Sequence, residues 1–235
     1  MKRGWFLLII IWLLFILHFQ TLARKGFGNG HNYYISANGK DDNNGSLQHP
    51  WRTIAKLTSV QLQSGDNVHL ADNFSFEGTI YLHNQSGKKA APIIIKSGKN
   101  KSATIKAKDS SAIVLDSCSY ISIHNIIAVG SGRKEGNTNN GIVITNSTNI
   151  AISHATIEGF QKAGLLIHNC NSVVAENTTA HDNGFAGIHV MGQYGDKLHC
   201  RNVRLLHCKA YNNPGDPTIL NNHSGNGILA GFCTH

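Results

Sequence analysis

A handful of polar side chains in the second half of the chain could do chemistry together if the fold gathers them. Lys162 and His181 are of the types that take up or release a proton at an active site. Asp182 is a third candidate for that chemistry and, with Asp216, could offer oxygen ligands to a Ca²⁺ ion. Arg133 and Lys162 could neutralise a bound carboxylate. Arg133, Tyr211, Asn212 and His223 also suit binding of a polar ligand, through charge, an aromatic face and hydrogen bonds. Each of these residues alone is an ordinary occupant of a solvated turn.

The elements that would position them are written in a repeat. Gly141, Gly164 and Gly187 are each 23 residues apart. Aligned on these glycines, Ile142 and Ile144 match Leu165 and Ile167, and then Ile188 and Val190. Ile150 and Ile152 match Val173 and Ala175; Ala155 and Ile157 match Thr178 and Ala180. Every pair is spaced by two, the period of a strand, and no helical period runs through the units. A unit of this length holding three short strands cannot bury an apolar face alone. Stacked coil on coil, with each backbone group paired about 4.8 Å above and below, it can. The expected architecture is an all-β, right-handed parallel β-helix, a solenoid. In that frame Glu158, His181 and Tyr211 share one position at the corner after the third strand, and Gly159, Asp182 and Asn212 share the next. An extended sugar chain would lie well along such an edge.

Ala112–Ala128 fits the frame upstream, and Gly187–Val190, Asn202–Ala210 and Gly227–Ala230 fit it downstream. The longer spacings, 29 residues from Ala112 to Gly141 and 40 from Gly187 to Gly227, place the extra residues in turns. Earlier strands are expected at Tyr33–Ser36, Gly65–Leu70, Thr79–Leu82, Ile93–Lys96 and Ala103–Ala107. Between the first two, Ile54, Leu57 and Val60 mark a short amphipathic helix, expected to cap the N-terminal end of the solenoid. Met1–Ala23 reads as a signal peptide: Lys2 and Arg3, an apolar run from Trp5 to Leu17, then Thr21-Leu22-Ala23. Residues 24–32 read as a flexible lead-in, and 33–235 as one domain that breaks off in mid-coil, as a truncated product would.

The sequence YYISANGKDDNNGSLQHPWRTIAKL, then SGDNVHLADNFSFEGTIYL, then the 23-residue coils, resembles the secreted right-handed parallel β-helix repeat proteins of bacteria, relatives of pectate lyases. The resemblance spans about residues 33–235 and is specific for fold. It implies a polysaccharide lyase or glycoside hydrolase acting on an acidic polysaccharide, or else a non-catalytic cell-surface or adhesin-type β-helix that binds glycans or partners. In an eliminating lyase, His181 or Lys162 would be the base beside a uronate carboxylate, and Lys162, Arg133 or a cation would neutralise that carboxylate. Against this stands a shortage of acid: Asp and Glu total only 13, with no aspartate cluster of the kind the calcium-dependent lyases present.

Composition narrows the partners. The formal net charge of +8 falls by two, to +6, without Lys2 and Arg3. A modest basic excess on an exported chain favours an acidic glycan. No basic run interleaved with aromatics supports nucleic-acid binding, and a monomer, extracellular or periplasmic and free of the membrane after cleavage, is expected. The five cysteines are an odd number. Cys170, Cys200 and Cys233 should stack in adjacent coils, where either packed thiols or a Cys170–Cys200 bond is possible. Asn146 and Asn169 should superpose at a corner. The Asp41–Gly45 loop looks calcium-like, but reads better as a turn.

Overall fold

A computed structural model describes residues 30–99, 101–134, 138–193, 200–216, 218 and 224–234. The proposed signal segment, most of the lead-in and His223 lie outside the described residues.

The strands stack into three parallel sheets. Sheet I holds Ile80–His83, Ile113–Asp116, Ile142–Thr145, Ala163–His168, Ala186–Met191 and Asn226–Gly231. Sheet II runs from Asn32–Ile35 and Asn67–Leu70 through Ile93–Lys96, Ser119–His124, Thr148–Ser153 and Asn171–Glu176. Arg204–Leu206 and Cys200–Arg201 both pair with Asn171–Glu176, and Cys233–Thr234 ends the sheet. Sheet III holds Ser75–Glu77, Ala103–Lys108, Ile126–Gly130, Thr156–Glu158, Thr179–His181 and Lys209–Tyr211. Successive coils enter the sheets in the order I, II, III, which is a β-helix.

The register is the one the glycine spacing dictates. Ile142 pairs with Leu165 and Leu165 with Ile188; across the insertions, Ile113 pairs with Ile142 and Ile188 with Ile228. Within strands such as Ile142–Thr145 and Thr148–Ser153, alternate residues are buried, as a period of two requires. Ile144, Ile167, Ile152, Ala175, Ile157 and Ala180 all point into one continuous core. Burying each Ile or Leu contributes roughly 1.5–3 kcal/mol. The last inward positions, Val203, Leu205 and Ala210, are only partly buried, and Ile228 is 50% exposed, because no described coil covers them.

The corners explain the Asn-rich turns. A chain that must swing from sheet to sheet in one or two residues uses the left-handed region, which Asn and Asp tolerate. Asn146 and Asn169 do superpose, at φ 50° and 53° between sheets I and II. What they supply is this backbone turn: the Asn146 amide donates to Asp116 Oδ1 rather than to Asn169. His154 and Asn177 do the same between sheets II and III, at φ 53° and 48°.

Two expectations need adjusting. The stretch read as an amphipathic helix is a 3₁₀ helix over Ile54–Ser59; it buries Ile54 and Leu57 and has no side-chain cap. A strand at Ser75–Glu77, unmarked in the sequence by more than Phe76, founds sheet III. The cysteines remain free thiols. Cys200 does stack between Cys170, whose N–H lies 3.4 Å from its Sγ, and Cys233, its strand partner. Burial pushes the Cys170 thiol up to about 12, the state of a packing residue rather than a nucleophile.

Candidate functional site

The outward positions of sheet III form a row. Lys106 pairs with Val129, Val129 with Glu158, Glu158 with His181, and His181 with Tyr211. Coils separated by about 4.8 Å bring such side chains face to face. The His181 and Tyr211 rings accordingly stack, with centroids 5.0 Å apart and planes 6° off parallel. On the other side, His181 Nε2 lies 3.3 Å from Glu158 Oε2. The next residue closes the group: His181 Nδ1 lies 2.6 Å from Asp182 Oδ2. Tyr211 is 48% exposed, so its ring carries an open face beside the cluster.

Two carboxylates thus compete for one imidazole. A neutral ring carries one N–H, so only the imidazolium can donate to both. In the neutral form one ring nitrogen faces a carboxylate without a proton between them. An imidazole so placed has a carboxylate beside each ring nitrogen, and a histidine within reach of a substrate proton is the commonest general acid–base group. The three side chains also place one ligand atom each within 4.8 Å of one another, close enough to share a divalent cation.

The turn behind the cluster is held by residues that sequence reasoning passed over. Buried Asn183 donates through Nδ2 to the Ile157 carbonyl and accepts the Phe160 N–H. One coil on, buried Asn213 donates to the Ala180 carbonyl and accepts the Asn183 N–H. Here is a real asparagine ladder, directly following Asp182 and Asn212. The 30-residue offset between His181 and Tyr211 repeats between Asn183 and Asn213 and could have revealed it. Fully buried Phe160 packs under the same turn. Asp182 is therefore displayed at φ 54° from a fixed backbone.

The remaining expected residues are placed as follows. Asn212 sits in register beside Asp182, exposed, at φ 50°. Lys162 is exposed on the turn leading to the next coil; its N–H donates to the Asn139 carbonyl. The Arg133 guanidinium is committed: Nη1 donates to the Gly215 carbonyl at 3.1 Å, tying its loop to another. Asp216 is buried, and its Oδ1 accepts from Gln161 Nε2 and from the N–H and O–H of Thr218. It does not join Asp182, so the expected calcium pair is not assembled. A cluster of one imidazole and two carboxylates also departs from the all-oxygen shell that Ca²⁺ prefers. Asp41 is a turn residue, as read: its carboxylate accepts from the Arg52 and Thr53 N–H groups and the Thr53 hydroxyl. Burial pushes the Asp41 carboxyl up, but those hydrogen bonds and Lys56 outweigh it and hold the group low.

Residues 32–232 match the family described as "Right handed beta helix region", and the chain belongs to it. A search of curated proteins finds no match. Solved structures with the same fold include pectate lyase Pel9A, at 18% identity and a TM-score of 0.59, covering 80% of this chain and 50% of that one. An alginate lyase from Paenibacillus sp. aligns at 16% identity and 0.55, covering 76% and 62%. A rhamnogalacturonan lyase aligns at 16% and 0.53, covering 87% and 63%. The chain thus spans about half to three-fifths of the length of these structures. What the chain shares with these structures is the right-handed β-helix fold.

Proposed function

We propose that the protein is an exported, polysaccharide lyase-like β-helix that binds an acidic polysaccharide along the outer edge of sheet III and acts on it at His181. The observation that carries this reading is the imidazole held between Glu158 and Asp182 and stacked on the open Tyr211 ring. The names of the proteins sharing the fold, lyases of pectate, alginate and rhamnogalacturonan, support the substrate class. The leader-like Met1–Ala23 supports export.

In this reading the Tyr211 ring packs on a sugar face and Asn212 offers hydrogen bonds at the corner. Asp182 fixes the His181 ring through Nδ1, the shorter contact. The longer contact to Glu158 yields to substrate. Nε2 then takes the proton from the carbon next to the uronate carboxyl, and Lys162 neutralises the carboxylate as charge moves onto it. The bond to the leaving sugar oxygen breaks, a double bond forms in the ring, the leaving oxygen takes a proton from water, and the His181 imidazolium returns its proton to the hydroxide so formed.

A second reading, glycan binding without turnover, is favoured by one feature: the cluster lies on an open edge, with the Asp182 side chain 60% exposed. The full chain should be incubated with pectate, alginate, a glycosaminoglycan and a neutral glucan, following the ultraviolet absorbance of unsaturated uronides. Product from an acidic polymer alone is the expected result. Binding without product selects the second reading, and neither binding nor product overturns both.

A further inference from the structure

A second row lies on another face. On the outside of sheet II, Tyr34 pairs with His69, His69 with Lys96, Lys96 with His124, and His124 with Ser153. Four coil steps of about 4.8 Å make this row about 19 Å long. It lines a cavity of about 940 Å³, to which Leu47, Pro50 and Ser97 to Lys99 also contribute.

The row's chemistry is consistent along its length. The Tyr34 and His69 rings stack at 4.7 Å, 12° off parallel. His124 Nδ1 lies 2.6 Å from Ser153 Oγ. Lys96 is half-buried between the two histidines, and among the described residues no carboxylate pairs with it. The cavity wall carries two further charged side chains, Lys99 and Asp72, whose Oδ1 accepts the Gly98 N–H at 2.6 Å. Burial pushes the His69 imidazole below its usual range, and Lys96 pushes it further. His124 is lowered in the same way by burial, then by Lys96 and His154. The row therefore presents one fixed positive charge flanked by neutral rings and a hydroxyl. It stops at Glu176, the strand partner of Ser153.

We infer that this groove is a second glycan-binding site, in which Lys96 receives the carboxylate or sulfate of an acidic sugar while Tyr34, His69, His124 and Ser153 bind the flanking rings and hydroxyls. An extended groove suits a linear chain, a central unpaired ammonium suits one anionic group, and neutral imidazoles can donate to or accept from hydroxyls. Nothing in it depends on the sheet III cluster: it neither needs turnover nor shares a residue with that site.

The test is a calorimetric titration of the full chain carrying His181→Gln, expected to cut turnover at the sheet III cluster about a hundredfold or more. The probes are an oligogalacturonate, a sulfated oligosaccharide and a neutral gluco-oligosaccharide of equal length. Lys96→Met keeps the aliphatic stem and should weaken binding of the preferred anionic probe about tenfold or more. Lys96→Arg should restore it. The two anionic probes distinguish carboxylate from sulfate as the natural group. Equal binding of the neutral probe, or unchanged affinity in Lys96→Met with an unaltered melting curve, would overturn the site. So would absence of binding by all three. Should Lys96→Met melt early, chemical-shift changes at His69 and His124 on adding the anionic probe to the His181→Gln chain decide. Their absence overturns the proposal. Failure here leaves product formation at His181 untouched, and the reverse also holds.

Discussion

Sheets II and III each carry an outward row containing histidine, built on one solenoid, yet the two rows have opposite electrostatic surroundings. His181 meets carboxylates at 2.6 and 3.3 Å. His69 and His124 instead flank a lysine and lose affinity for protons through burial and its charge. The solenoid fixes where a side chain stands; the residue one coil away decides what it experiences. Backbone repetition thus sets geometry, and chemistry can be written independently on each face.

The largest blow to that comparison comes from the inside. Ile157 is fully buried directly behind Glu158, between the smaller Ala128 and Ala180 of adjacent coils. Ile157→Ala should cost about 2–5 kcal/mol and lower Tm by roughly 5–15 °C, read by thermal denaturation. A cost below about 1 kcal/mol would mean that the sheet III row has no packed backing.

A smaller effect sharpens the contrast between rows. Because His69 and His124 titrate below their ordinary value when folded, the unfolded chain binds protons first as pH falls. Their contribution is intact above the ordinary histidine pKa of about 6.5 and is lost below it, down to the lowered folded values. Stability by urea denaturation should therefore fall as the pH drops through about 6.5. Lys96→Met should make the fall shallower by removing part of the shift. A flat profile would contradict the electrostatics assigned to sheet II.

The fold was legible because pairs such as Ile142/Ile144 and Leu165/Ile167 recur at a constant 23 residues, which only stacking can satisfy. The same register puts Glu158, His181 and Tyr211 on one row from the sequence alone. What failed to show lay where spacing varies or loops decide. The earlier members of the sheet II row do not show in the sequence because their offsets change, with 35 residues from Tyr34 to His69, 27 to Lys96 and 28 to His124. Asp216 looked like a free ligand; its burial against Gln161 depends on a loop contact across 55 residues. Arg133 was drawn off by a carbonyl 82 residues away. Such contacts follow from loop conformation, which carries no period.

The most direct test of the account is the rate of unsaturated-uronide release by the wild type, His181→Gln, Asp182→Asn and Glu158→Gln on whichever acidic polymer the wild type cleaves. Loss of a positioned proton-transfer group predicts a fall of about a hundredfold or more for His181→Gln, with smaller losses for the two carboxylate variants and near-native melting curves for all. Cleavage by His181→Gln at the wild-type rate would remove the sheet III cluster from the chemistry.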